Sequence, residues 1–159
     1  MPDSGIRTTS DDELLKGDDL PDNNQIVRYV KPSLVEDDGS ANGSAFTLRP
    51  GESDLSVNRL DAFTLDKNNQ LAEVCRLIRL DIGPNCRFAE MNVGSVRKHV
   101  SEELNSLRVV HDPLEKTDGL EEDPSHALIR GLPSGETDHA MAIGDLFTEH
   151  VTAMHEPIL

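Results

Sequence analysis

Tryptophan is absent from this 159-residue sequence, tyrosine occurs once and phenylalanine four times. With aromatics at 3% and all hydrophobic residues at 36%, the apolar share falls below the roughly 45–50% of an ordinary soluble domain. A core is therefore expected from part of the chain rather than from all of it. Cysteine is scarce as well. Cys75 and Cys86 make no disulfide framework, and neither sits in a CxxC pair, so the spacing of a zinc ribbon or a thioredoxin-like motif is missing. No apolar run approaches the ~18 residues of a membrane span. The first residues have neither the basic start nor the apolar stretch of a signal peptide, and the expectation is a cytoplasmic protein. Positive charge is also short: 15 Lys and Arg stand against 30 Asp and Glu, a net charge of -15. Phosphate backbones and anionic lipid surfaces are bound by Lys and Arg, so neither nucleic acid nor a membrane is expected as a partner. Collagen-like, coiled-coil and disulfide-dense chains are excluded by the same composition.

The acidity that is present is concentrated. Residues 1–24 hold seven acids and two bases, and residues 111–125 hold six acids and one base. The first segment has too few apolar residues to offset the entropy of ordering. It reads as a mobile acidic extension, with a single compact domain over 25–159.

Within that domain the periodicity is mixed. Residues 25–31 alternate as a buried strand that Pro32 ends, and residues 44–49 read as a second strand stopped by Pro50 and Gly51, the two forming a hairpin. Residues 54–63 fit strand and helix equally. Leu71, Val74, Cys75 and Ile78 recur at helical spacing until Gly83 and Pro84 forbid continuation. Residues 87–93 predict a strand around Phe88 and Met91. A second helix follows with Ser95 as its cap and Val96, Val100, Leu104 and Leu107 as its apolar stripe. Residues 108–111 read as a strand, 116–124 as an acidic loop, and 125–130 as a short apolar run of undetermined type. Thr137 is expected to cap a last helix reaching residue 154, with Ile143, Leu146, Phe147, Val151 and Met154 inward. Strands and helices without a regular βαβ repeat predict an α+β fold of short strands with about three helices.

Three residues stand out as site candidates. His111 and His126 lie beside turns at the ends of apolar runs, where a pair of imidazoles could bind a metal ion or exchange a proton. His139 and His150 cannot share an ion, because eleven helical residues separate them by about 16 Å. Arg28 with Tyr29, set against Ser44 and Phe46, offers the basic and hydroxyl groups that ADP-ribosyl-transfer folds place on neighbouring strands. No glutamate takes the orienting role there. The bases Arg76, Arg79, Arg87, Arg97, Lys98 and Arg108 are interrupted by acids and read as solvated helix and strand surfaces. No P-loop, GxGxxG or nucleophile elbow occurs.

The strings RYVKP (28–32), GSAF (43–46), LSVN (55–58), RFAE (87–90), RVVHDP (108–113) and DPSH (123–126) together resemble a set of small uncharacterised bacterial proteins over residues 25–154. The resemblance implies a bacterial origin and a compact unit with a variable acidic start; it supplies no catalytic residue. The expectation is a non-catalytic interaction protein, an accessory or regulatory subunit whose partner is another protein, with no cofactor and no bound metal, and with homo-oligomerisation left open. Its rival is a small enzyme: an ADP-ribosyl-transfer-like transferase using Arg28, or a metal-dependent hydrolase using His111 and His126.

Overall fold

The structure, a computed structural model, describes residues 14–101, 104 and 106–159. Six strands form one antiparallel sheet: β1 (Gln25–Val30), β2 (Leu55–Arg59), β3 (Arg87–Asn92), β4 (Arg108–His111), β5 (His126–Arg130) and β6 (Val151–His155), in the order β4-β5-β2-β1-β3-β6. Three helices complete it: α1 (Lys67–Leu77), α2 (Val93–Val100) and α3 (Asp138–Thr148). The expected α+β class is what is observed.

Alternation along the strands divides the core in two. Ile26 and Val30 of β1, Leu55 and Val57 of β2, and Ala127 and Ile129 of β5 face one side, where Val96 and Val100 of α2 and Ile143 and Phe147 of α3 cover them. Val27 of β1 and Phe88 of β3 face the other side, under Leu71, Val74 and Cys75 of α1. On that second side α1 packs over β1 and β3. Among the described residues no helix lies over the half built by β2 and β5, and its outward residues are Ser56, Asn58, His126 and Leu128. Asp66 caps α1 by accepting from Asn69 N, and Thr137 caps α3 by accepting from Ala140 N.

Several expectations are corrected. Residues 44–49 are not a strand: Gly43–Phe46 is a 3-10 turn, and β1 pairs instead with β2 and β3. Gly43 and Gly144 of α3 pack backbone to backbone, with no room for a side chain on either, and this seats Phe46 in a stack on Phe147 at 5.5 Å. Asn92, not Ser95, caps α2, accepting from Ser95 N. The last helix ends at Thr148, and Val151 and Met154 lie in β6. Their three-residue spacing imitates a helix because a register shift opposite Glu90 and Met91 inserts one residue into β6. Val151 then lies across from Met91 and Met154 across from Ala89, both on the same side of the sheet. The boundary expected after residue 24 also moves: Asp19 bridges Val110, Leu20 N donates to Val109 O, and Leu20 is buried in the core. The remainder of the expected mobile segment, 1–13, lies outside the described residues. Cys86 is buried.

One buried charge braces the β3–β6 side. Glu90 accepts from Lys67 Nζ at 2.8 Å and from His155 Nε2 at 2.7 Å. Burial pushes its carboxyl pKa up, but these two donors outweigh burial and hold it below the usual range. A lowered folded value means that the stabilisation is complete above the unfolded pKa of about 4.3 and is lost as pH falls through the lower folded value. Urea midpoints are therefore expected to drop on acidification below about pH 4, and to drop less in Glu90→Gln. Phe147→Ala should lower stability by about 3–5 kcal/mol in the same assay at neutral pH, because its fully buried ring leaves a cavity beside Phe46.

Candidate functional site

The ladder between β1 and β2 holds for two pairs, Ile26 with Arg59 and Val27 with Asn58. Beyond them the strands part, and the Arg28 side chain enters the gap. Its Nε donates to Ala45 O and its Nη1 to Ser56 O, both at 2.8 Å. The bond to Ser56 O thus stands where a main-chain one would otherwise continue the ladder, and the bond to Ala45 O ties Arg28 to the 3-10 turn. Burial lowers the Arg28 pKa to about 10, while Glu52 acts in the opposite direction. The guanidinium is charged at neutral pH.

The parting opens a cleft of about 420 Å³. Arg28, Ser56, Asn58 and His126 line it on the sheet, Ile78, Arg79 and Leu80 after α1, and Leu34, Leu48 and Leu114 from loops. At its rim Gly135 packs on Leu48 O with no room for a Cβ, and Glu136 takes a left-handed φ of 66°.

Three side chains on the uncovered face form a relay. His126 Nδ1 lies 2.9 Å from the Asp112 carbonyl and 3.0 Å from Asp112 Oδ2. Two acceptors at one nitrogen place the ring proton on Nδ1. In the neutral ring Nε2 is then an acceptor, and the Ser56 hydroxyl lies 3.1 Å from it. Asp112 and His126 side chains are each 14% exposed, so their hydrogen bond is shielded while Ser56 stays open to solvent. The other Asp112 carboxylate oxygen lies 3.6 Å from Lys16 Nζ. Beside the relay, Asn58 Nδ2 donates to Asp123 Oδ2 and Ser125 Oγ, and Ser125 N and Oγ both donate to Asp123 Oδ1. This buried network pins the turn before β5 and hence the register that carries His126.

Chemically, the arrangement pairs a hydroxyl with a neutral imidazole whose far nitrogen is fixed by a carboxylate. That is the constellation that turns a serine into a nucleophile. It is recognised by geometry, and it needs no particular sequence order.

Of the three sequence candidates, Arg28 and His126 meet in the cleft and His111 does not. His111 pairs with Ala127, one position from His126, so the pleat sends the two imidazoles to opposite faces. They cannot share an ion, and among the described residues no three histidine, cysteine or carboxylate side chains converge on a metal position. His111 is buried, its Nδ1 has no partner among the described residues, and burial followed by the nearby Arg59 charge holds its pKa below the usual imidazole value. The expected hydroxyl-bearing strand opposite Arg28 does not form, since Ser44 and Phe46 belong to the 3-10 turn and Phe46 is core. His150 leaves the helical line altogether, accepting or donating at Ser95 Oγ and stacking on His99. Ser56, Asp112, Asn58 and Asp123 escaped sequence reasoning. The signal for Ser56 and Asn58 was a two-residue alternation with Leu55 and Val57 in a stretch that fitted both strand and helix.

No protein-family model matches the chain, and comparison with curated proteins and with solved structures likewise finds no match. No helix among the described residues is long and apolar enough to cross a membrane.

Replacing Arg28 by Met keeps the stem and removes both donors, leaving Ala45 O and Ser56 O without them. A loss of about 1–3 kcal/mol in urea unfolding is expected, from the desolvated carbonyls.

Proposed function

We propose that the chain is a small acyl-transfer enzyme, hydrolytic in water, with Ser56 as nucleophile and His126 as general base. The observation that carries this reading is the continuous hydrogen-bonded chain Ser56–His126–Asp112 opening into the cleft. It belongs to the enzyme alternative, but the chemistry is that of a serine rather than of a metal or of NAD.

In this reading Ser56 Oγ attacks the carbonyl carbon of an ester, and its proton passes to His126 Nε2. The carbonyl π pair moves to oxygen. As that pair returns, the bond to the leaving group breaks, and His126 gives the proton to the departing oxygen. Water then attacks the Ser56 ester by the same route and regenerates the hydroxyl. Asp112 is a positioning residue: it holds the ring in the tautomer that lets Nε2 accept, and its charge stabilises the imidazolium that forms. The Arg28 guanidinium, fixed to the carbonyl of Ser56 itself, is assigned the part of stabilising the negative charge that develops on the substrate oxygen.

The accessory-subunit reading has one observation of its own. Residues 17–20 cover the outer edge of β4, whereas among the described residues no strand pairs with the outer edge of β6, and an open edge accepts a partner strand.

A fluorophosphonate probe separates the two. The full chain should be labelled at Ser56, as read by peptide mass. Labelling should vanish in Ser56→Ala, fall by at least about a hundredfold in rate in His126→Ala, and fall less in Asp112→Asn with a changed pH dependence. A folded protein that takes no label removes the acyl-transfer reading and leaves the interaction protein.

A further inference from the structure

Among the described residues, the hydrogen bonds of Arg28 and Arg79 go to neutral acceptors. Arg28 donates to the carbonyls of Ala45 and Ser56; Arg79 Nη2 donates to the carbonyls of Glu115 and Glu121. Neither guanidinium forms an ion pair with a described carboxylate. The contrast lies in the same cleft, where Arg49 is neutralised by a forked pair of bonds to Glu52. Arg79 Nε, moreover, is buried with no hydrogen-bond partner among the described residues. A donor left in that state is costly unless something outside the chain accepts from it. Of the acids on the cleft, Glu52 is hydrogen-bonded to Arg49 and acts on Arg28 only through space, and Asp123 is committed to Asn58 and Ser125. Glu136 stands exposed at the rim.

We propose that the cleft binds a substrate bearing an anionic group, a carboxylate or a phosphate, held by Arg28 with Arg79 as the second cationic contact. Guanidinium groups bind both kinds of anion through paired charge-assisted bonds. Leu34, Leu48, Leu80 and Leu114 line the same space and take an apolar body attached to that anion. A long polyanion is disfavoured, because the surface beyond the cleft belongs to a chain of net charge -15. The word substrate rests on the acyl-transfer reading; the anion site does not.

The test is therefore a binding measurement on the full chain, with arms for each anion and for neither. Isotope-labelled protein is titrated with phenyl phosphate, with hydrocinnamate and with neutral hydrocinnamamide, following the Arg28 and Arg79 side-chain N–H resonances. At least one anion should shift both resonances saturably, the tighter of the two naming the group, and the amide should shift neither. Arg79→Gln, a change at a partly exposed position, should weaken that anion about tenfold, and Arg28→Lys should do so at least as much. Equal binding of the amide, the absence of saturation by either anion, or an unchanged affinity in Arg79→Gln would overturn the proposal. Ser56 labelled without anion binding sinks this inference alone; anion binding without labelling sinks only the acyl-transfer chemistry.

Discussion

Everything at the cleft depends on where β1 and β2 stop pairing. An antiparallel sheet gains a main-chain hydrogen bond for nearly every residue that continues the ladder, so two neighbouring strands part only if something else satisfies the groups left open. For Ser56 O of β2 that is the Arg28 guanidinium, which also bonds Ala45 O of the 3-10 turn. A lysine could not do this with one fixed plane, and a neutral residue would leave carbonyls unsatisfied. The same placement holds a positive charge at the floor of a cavity and next to the carbonyl of the residue that projects toward His126.

The uneven covering of the sheet is the second constraint. One face is sealed by α2 and α3, with Phe46 and Phe147 stacked between them and the strands. On the other face α1 packs over β1 and β3, leaving the outward side of β2 and β5 to polar residues. Those residues are tied to one another: Asn58 and Ser125 to Asp123, His126 to Asp112 and Ser56. A polar patch so connected is rigid, which is what a reacting constellation requires. Charge is distributed in the same sense. The chain as a whole is acidic, but two arginines in the cleft are held by carbonyls instead of carboxylates, so their field remains available inside an otherwise repelling surface.

How much of this was legible follows from the range of each interaction. The α+β class, β1, β3, β4, α1 and the cap Thr137 could be read because burial period and capping are encoded within a few residues. The alternation of Leu55, Ser56, Val57 and Asn58 was too short to separate from a helical turn until β5 lay beside it. β6 was misread because a single inserted residue gave its inward side chains a helical spacing.

The sequence by itself determined that the protein is acidic, poor in aromatics, built from strands and helices that each carry one apolar side, and furnished with an arginine on a strand and two histidines beside turns as candidates for a site. Tertiary structure decided which of those residues meet. His126 reaches Ser56 across 70 positions and Asp112 across 14, and His111, one register step away, is sent to the opposite face. The physical reason is the pleat. A strand's own pattern states which residues share a face, but only the pairing partner and its register, set by contacts distant in the chain, fix which faces come together and where the ladder breaks.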